Sequence, residues 1–187
     1  MKFDRLGNPY RSFFDKFLSC EKKLDKAIDK KDVEWVVALI AKRQVPMNYR
    51  LSPLQRWDGL SSQQDNGTSL MHWLVHHNSL DGVEDLLKQG HDPNIRTFFK
   101  ETPAHWAAEE GNEDMLLLLF SHGADFELCK SQRGSFVFED PYCPNVFEIF
   151  KTKTGKQWTI EDLSAYVLKK NIEASVPQNT SSRLRKM

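Results

Sequence analysis

The sequence lacks the features that would direct a protein out of the reducing interior of a cell. It holds no run of about 18 apolar residues, so a transmembrane helix is not expected. The N-terminal residues are followed by charged residues, and the apolar segment that a secretory signal requires is missing there. The three cysteines, Cys20, Cys129 and Cys143, are an odd number without the spacing of a disulfide framework. We therefore expect reduced thiols and a cytoplasmic or nuclear location.

An excess of charge of one sign is also missing. The chain of 187 residues balances 26 basic side chains against 26 acidic ones, so no overall field draws it toward nucleic acid or an anionic membrane. Only Arg183, Arg185 and Lys186 near the end weakly favour a nucleic acid, and we do not expect one as the partner. The apolar content of 40% is that of a folded chain with a core.

Signatures of catalysis are absent as well. The sequence contains no G-x-S-x-G, H-E-x-x-H, P-loop or glycine-rich dinucleotide turn. His72 and His76 stand four apart on one predicted helix beside His77, a spacing that can bring imidazoles together on a metal. No Cys, Asp or Glu is obviously placed to complete a tetrahedral site. We predict no enzymatic activity, no metal site and no cofactor.

What the sequence does contain is a period of 33 residues. Residues of the same kind recur at this distance in the pairs Ser69 and Thr102, His72 and His105, Trp73 and Trp106, Leu86 and Leu119, Gly90 and Gly123, and Asp92 and Asp125. A fixed period of this length indicates repeated supersecondary units.

Each unit is predicted to be a helix, a tight turn, a second helix and an extended hairpin. Thr102 before Pro103 is a helix-start signal, because the hydroxyl can accept an orphan N–H and proline suits the first helical position. The apolar residues between Met115 and Phe120 recur at helical spacing, and Gly123 suits a helix end. Such a unit cannot cover its own apolar face, so neighbouring units must do so, which predicts a solenoid.

The segment Thr-Pro-Ala-His-Trp-Ala at 102–107 resembles the T-P-L-H-x-A signature of the ankyrin repeat, and Gly-Ala-Asp at 123–125 is similar to the ending of such a repeat. The resemblance implies an all-α ankyrin-repeat solenoid of about four helix-turn-helix units with modified terminal units. It also implies that His72 and His105 bond the backbone between repeats. Leu74 and Val75 stand where small alanines are usual, which predicts that the helices of that unit lie slightly further apart.

The chain divides into seven segments on this interpretation. They are a lead-in at 1–16, a degenerate first repeat at 17–48, an inserted loop at 49–64, two repeats at 65–96 and 97–128, a divergent C-terminal repeat or cap with an insertion at 129–170, and a disordered tail at 171–187. Within the inserted loop, Trp57 either packs back on the array or contacts a partner. His91 and His122, beside the turn glycines, are expected to face solvent.

The resemblance implies a non-enzymatic role in protein–protein interaction. The resemblance implies that the partner binds at the concave surface, which consists of the hairpin tips and the solvent-facing side of the first helix of each unit. The candidate partner-binding residues at these places are Trp57, Asp65, Asn66, Thr68, Trp73, His76, His77, Phe98, Phe99, Glu101, Trp106, Glu109 and Glu110. The three glutamates favour a partner protein or peptide with a Lys- or Arg-rich segment.

Two aromatic pairs each allow two interpretations. Phe98 and Phe99 are adjacent at a hairpin tip and point in opposite directions, so at least one should be exposed as an interaction site, unless Phe99 packs under the segment 136–138. Trp73 and Trp106 are similar to the tryptophans that form part of a methyl-lysine cage in the ankyrin domains of certain histone methyltransferases. This similarity implies an alternative function, a reader of a (methyl-)lysine-containing histone-like peptide. The other interpretation is that both rings are buried packing.

Overall fold

A computed structural model describes residues 2–3, 9–10, 18–51, 67–125 and 146–175. Two short antiparallel strands, β1 (Lys2–Phe3) and β2 (Pro9–Tyr10), are followed by helices. The helices of the described ranges are α1 (Cys20–Asp29), α2 (Val33–Ala41), α3 (Leu70–His76), α4 (Leu80–Lys88), α5 (Pro103–Glu109), α6 (Glu113–Ser121), α7 (Val146–Thr154) and α8 (Ile160–Ser175). The fold is the all-α helical repeat that the sequence predicts.

The helices form two layers. Helix pairs α1 and α2, α3 and α4, and α5 and α6 pack within their units, α3, α5 and α7 contact one another in succession, and α2, α4, α6 and α8 do the same. One continuous apolar core runs between the layers, from Leu24 in α1 to Phe150 in α7. The two-layer arrangement therefore continues through the last two described helices.

Short polar side chains start these helices. The side chain of Asp32 accepts a hydrogen bond from the Trp35 N–H, and that of Asn112 accepts one from the Met115 N–H. At α5, Thr102 precedes Pro103 as predicted, and the ring of His105 completes a capping box with Thr102. Each such cap satisfies an otherwise orphaned backbone donor.

Asparagine side chains link each hairpin to the next one by a hydrogen bond. Asn48 Oδ1 accepts from the Asp92 N–H at 3.0 Å, and Asn94 Oδ1 accepts from the Asp125 N–H at 2.7 Å. His91 is buried, contrary to the expectation that it faces solvent, because its Nδ1 accepts a hydrogen bond from the Asn48 N–H at 3.1 Å. His122 is exposed.

The extra volume of Leu74 is taken up within its own unit. A Cβ at Gly82 in α4 would lie 3.0 Å from Leu74 Cδ2, so the side chain of Leu74 fills the space that the missing side chain leaves. The unit that follows has the opposite arrangement, with Ala107 in the place of Leu74 and Met115 in the place of Gly82, all buried. The side chain of Leu74 is therefore accommodated opposite Gly82, and the wider helix spacing stays a prediction.

Two predicted boundaries need correction. The inserted loop does not begin at residue 49, because Arg50 pairs with Ser69 in an antiparallel bridge and Leu51 N–H donates to the Thr68 carbonyl. The tail does not begin at residue 171, because α8 continues to Ser175. The predictions for most of 1–16, for 52–64, for 129–145 and for 176–187 lie outside the described residues.

Candidate functional site

The hairpin between α4 and α5 carries two exposed aromatic side chains. Phe98 is 67% and Phe99 47% exposed. The tip is closed by bonds from the Thr97 N–H to the Glu101 carbonyl and from the Lys100 N–H to the Thr97 carbonyl, both 3.0 Å, and Lys100 has a positive φ of 64°. Two large apolar side chains are thus presented to solvent on a hydrogen-bonded turn.

The hairpin tip is supported by the preceding hairpin. A Cβ at Gly67 would lie 3.2 Å from the ring of Phe98, so the ring rests over that glycine. The guanidinium of Arg50 donates to the carbonyl of Gly67 and, at 3.1 Å, to that of Arg96. Because Arg50 forms hydrogen bonds with both hairpins, it fixes the position of Gly67, on which the ring of Phe98 packs.

Behind the tip, Trp106 orients a carboxylate. Its indole Nε1 donates to Glu101 Oε2 at 3.0 Å, and the backbone N–H of Glu101 donates to Thr97 Oγ1 at 3.3 Å. The half-buried ring of Trp106 also meets His72 edge to face, with ring centroids 5.1 Å apart. Glu101 is thereby fixed between the Phe98 tip and helix α5.

Two further carboxylates lie at the end of α5. Burial raises the pKa of Glu109, the charges of Glu101 and Glu110 raise it further, and Lys153 on α7 opposes them. Glu110 Oε1 lies 3.0 Å from Nδ1 of His76 in the preceding unit. The three glutamates form one negatively charged area, because both Glu101 and Glu110 lie close enough to Glu109 for their charges to act on it.

The histidine pair at the end of α3 borders this area. The ring of His77 stacks on Trp73, with centroids 4.0 Å apart, and its Nδ1 lies 2.9 Å from the Trp73 carbonyl oxygen. Burial lowers the pKa of His77, the bond to the Trp73 carbonyl raises it, and His76 and Lys31 lower it. His76 and His77 meet edge to face at 5.3 Å.

The structure brings eight of the predicted contact residues to one area. We call it the hairpin–helix surface; it consists of His76, His77, Phe98, Phe99, Glu101, Trp106, Glu109 and Glu110, all of which are exposed or partly exposed. Thr68 and Trp73 do not belong to it, because they are only 5% and 4% exposed. Their predicted contact with a partner is not compatible with this burial. Trp57, Asp65 and Asn66 lie outside the described residues.

The supporting role of Arg50 was not predicted. Its signal in the sequence is the repeated tripeptide Asn-x-Arg, which occurs at 48–50 and again at 94–96. The two copies are separated by more than one 33-residue period, so they do not align with each other in the repeat. In both copies the asparagine side chain accepts a hydrogen bond from a backbone N–H of the next hairpin.

The two repeated histidines lie beneath the hairpin–helix surface and have a structural role. His72 Nε2 lies 3.3 Å from the Glu101 carbonyl oxygen, which is the inter-repeat bond that the family resemblance implies. His105 Nε2 has no partner among the described residues. In both residues Nδ1 accepts from the backbone N–H of the cap, Ser69 or Thr102. The Nδ1 atoms are therefore unprotonated in the folded protein.

The described residues give no other indication of chemistry or membrane insertion. Within the described ranges, no three His, Cys, Asp or Glu side chains are grouped so that they could hold a metal ion. None of the helices there combines the length and apolar content that a membrane crossing requires.

Known proteins share parts of this sequence. The chain is 28% identical over 102 residues to the human transient receptor potential cation channel subfamily A member 1, 49% identical over 46 residues to the putative ankyrin repeat protein FPV244 of Fowlpox virus (strain NVSL), and 38% identical over 58 residues to human palmitoyltransferase ZDHHC13. These matches cover 54%, 25% and 30% of this chain but only 9%, 7% and 9% of the relatives. The chain thus spans less than a tenth of the length of each.

The family comparison covers a larger part of the chain. The sequence model described as "Ankyrin repeats (3 copies)" matches residues 24–130, more than half of the chain and all of the described units from α1 to α6 except the first turn of α1. This match agrees with the signature at 102–107 and with the two layers of paired helices. The chain therefore belongs to the ankyrin repeat family.

Proposed function

We propose that this chain binds a partner protein or peptide through the hairpin–helix surface and has no catalytic activity of its own. Ankyrin repeats generally mediate protein–protein interactions. The single observation that carries the proposal is the exposure of Phe98 and Phe99 on a tip that Arg50 braces. Covering an exposed phenylalanine is worth about 1.5–3 kcal/mol, and a rigid tip loses little conformational entropy on binding.

The charges of the surface support a partner with a Lys- or Arg-rich segment. The charges of Glu101 and Glu110 help to raise the pKa of Glu109, and among the charges that act on Glu109 only Lys153 opposes them. A cation from a partner would relieve this repulsion, and complementary charge speeds and orients association. We propose a segment in which a basic residue lies next to an apolar one, and a cytoplasmic or nuclear site of action, with which the free thiol of Cys20 is compatible.

Peptide selection tests this proposal. A displayed library of random 12-residue peptides is selected on the intact chain at pH 7.5, and the selected peptides are expected to be enriched in Lys or Arg beside an apolar residue. Replacing Phe98 and Phe99 together by Ala should weaken their binding by about 2 kcal/mol, roughly thirtyfold, because exposed aromatic anchors dominate such interfaces. The affinity is measured by fluorescence polarisation.

Met47 provides a matched control. It is 59% exposed on an earlier hairpin and is not part of the hairpin–helix surface. Met47→Ala should leave peptide binding unchanged, and both variants should keep their urea midpoint, since exposed substitutions change stability by less than about 0.5 kcal/mol. Selected peptides that bind the double Phe variant as tightly as the wild type would contradict the proposal.

The methyl-lysine reader is a second candidate, favoured by Trp106 alone. Its partly exposed ring lies beside the carboxylate of Glu101, which is one aromatic wall with an adjacent negative charge. Trp73 is covered and stacks on His77, so it does not supply a second wall. Histone-tail peptides with trimethylated and with unmodified lysine should therefore bind with equal affinity if the first proposal holds, and a clear preference for trimethyl-lysine would favour the reader.

A further inference from the structure

His76 and Glu110 link two successive units at the edge of the hairpin–helix surface. His76 is the last residue of α3, Glu110 caps the end of α5, and Nδ1 lies 3.0 Å from Oε1. The side chains are 44% and 50% exposed, so a partner can reach both. A neutral imidazole offers Glu110 at most a hydrogen bond, whereas an imidazolium forms an ion pair with it. The charge of His76 thus decides how much negative charge Glu110 presents to a partner.

We propose that protonation of His76 withdraws Glu110 from the hairpin–helix surface, so that a cationic partner binds more weakly in mildly acid solution than at neutral pH. This inference rests on the proposed function, because it concerns the regulation of the same surface. Imidazole is the side chain whose charge ordinarily changes between pH 5 and 8. A lysine or arginine of the partner would have to compete with a cation that is already in contact with the carboxylate.

The titratable and charged groups beside this contact are His77 and Glu109 together with the groups that act on them. Those groups are Lys31 in the turn before α2, Glu101 in the hairpin and Lys153 on α7. Lysines remain protonated throughout this pH range. Because the pKa of Glu109 is raised by burial and then by its neighbouring carboxylates, Glu109 loses charge sooner on acidification than an ordinary carboxyl group. Protonation of either histidine adds positive charge and protonation of Glu109 removes negative charge, so each change weakens the attraction of a cationic partner.

The test uses a peptide from the selection that contains Lys or Arg but no His, Asp or Glu, with blocked ends, so that its own charge stays constant. Its dissociation constant is measured on the intact chain at pH 7.5 and pH 6.0, with circular dichroism to confirm that the chain is folded at both. We expect the wild type to bind about threefold more weakly at pH 6.0, the size of effect typical of one exposed ion pair.

Three variants decide the cause of that change. In His76→Gln most of the pH dependence should disappear, whereas His122→Gln, which changes an exposed histidine on another element, should behave as the wild type. Glu110→Gln should bind weakly at both pH values. Equal affinity of the wild type at the two pH values, or full pH dependence in His76→Gln, would overturn the inference.

Failure of this inference is distinguishable from failure of the proposed function. A peptide whose binding depends on Phe98 and Phe99 but not on pH leaves the proposed function standing and overturns only the competition at Glu110. A peptide that binds the double Phe variant unchanged removes the proposed function itself.

Discussion

Lowering the pH from 6.5 to 5 is expected to reduce the free energy of unfolding by about 3 kcal/mol. Burial lowers the pKa of His72 to about 3 and that of His105 to about 4, from 6.5 when exposed. Both rings accept a backbone N–H at Nδ1, a bond that only an unprotonated nitrogen can make. In mild acid the two histidines are therefore protonated in the unfolded chain but not in the folded one.

The sign and the pH window follow from this difference in proton uptake. The stability that the neutral rings confer is fully present well above pH 6.5 and is lost as the pH falls through 6.5 toward the folded pKa values of about 4 for His105 and about 3 for His72. Each histidine contributes up to about 1.4 kcal/mol per pH unit, and less near pH 6.5, where the unfolded imidazole is only half protonated, so the two together give about 3 kcal/mol between pH 6.5 and 5. The pKa of His91 is also lowered by burial, which adds to the loss in the same direction.

Urea unfolding at several pH values between 7.5 and 5 measures this loss. The exposed histidine at 122 supplies the control, because His122→Gln should lose as much stability as the wild type. His72→Gln should be less stable at pH 7.5 but should show a clearly shallower dependence on pH. A free energy of unfolding that stays constant between pH 6.5 and 5 would show that the two rings are not buried as described.

Replacing Leu74 by Ala is expected to destabilise the protein by about 2–5 kcal/mol, the usual cost of a large-to-small change in a core. The result runs against the family pattern, in which a small alanine is usual at this position. Leu74 is fully buried and its Cδ2 fills the space above Gly82, which has no side chain of its own. The substitution would leave a cavity that no neighbour fills.

Gly82→Ala tests whether Leu74 and Gly82 compensate each other. In the wild type a Cβ at Gly82 would approach Ser79 Oγ to 2.8 Å, Leu74 Cδ2 to 3.0 Å and Val37 Cγ2 to 3.1 Å. Overpacking of this kind costs about 1–3 kcal/mol, more than the roughly 1 kcal/mol that alanine gains over glycine in a helix.

The double variant gives the decisive comparison. In the Leu74→Ala background the closest carbon neighbour on α3 is gone, so Gly82→Ala should be less harmful there by at least about 0.5 kcal/mol. Leu168→Ala, a truncation of an exposed leucine in α8, should cost little and serves as the control. Additive effects of the two substitutions in urea unfolding would contradict the compensation.

The elements of the regular units could be predicted because their signals are local. Thr102, Pro103 and Gly123 lie within one unit and mark the start of α5 and the region where α6 ends. The expectation that at least one of Phe98 and Phe99 is exposed follows from their adjacency at a turn, which is also local, whereas the alternative for Phe99 involves the segment 136–138, outside the described residues. The 33-residue period then predicts the same elements at the equivalent positions of the neighbouring unit.

The features that the sequence did not reveal depend on distant packing. His91 is buried where it bonds Asn48, which lies 43 residues earlier in the chain. Trp73 and Trp106 occupy equivalent positions, yet Trp73 stacks on His77 whereas Trp106 bonds Glu101, because different residues follow or precede them in the two units. Equivalence within the repeat predicts the backbone position of a side chain, whereas its exposure depends on the neighbours of each unit.

Photo-crosslinking tests most directly whether the hairpin–helix surface is the binding site. A selected peptide with a photoreactive phenylalanine beside its basic residue is irradiated with the intact chain, and the crosslinked residues are identified by mass spectrometry. The account predicts crosslinks in the hairpin at 97–101 and in α5, with none in α4 and α6, which belong to the other layer. Crosslinks concentrated on α4 and α6, with the 97–101 hairpin unlabelled, would contradict it.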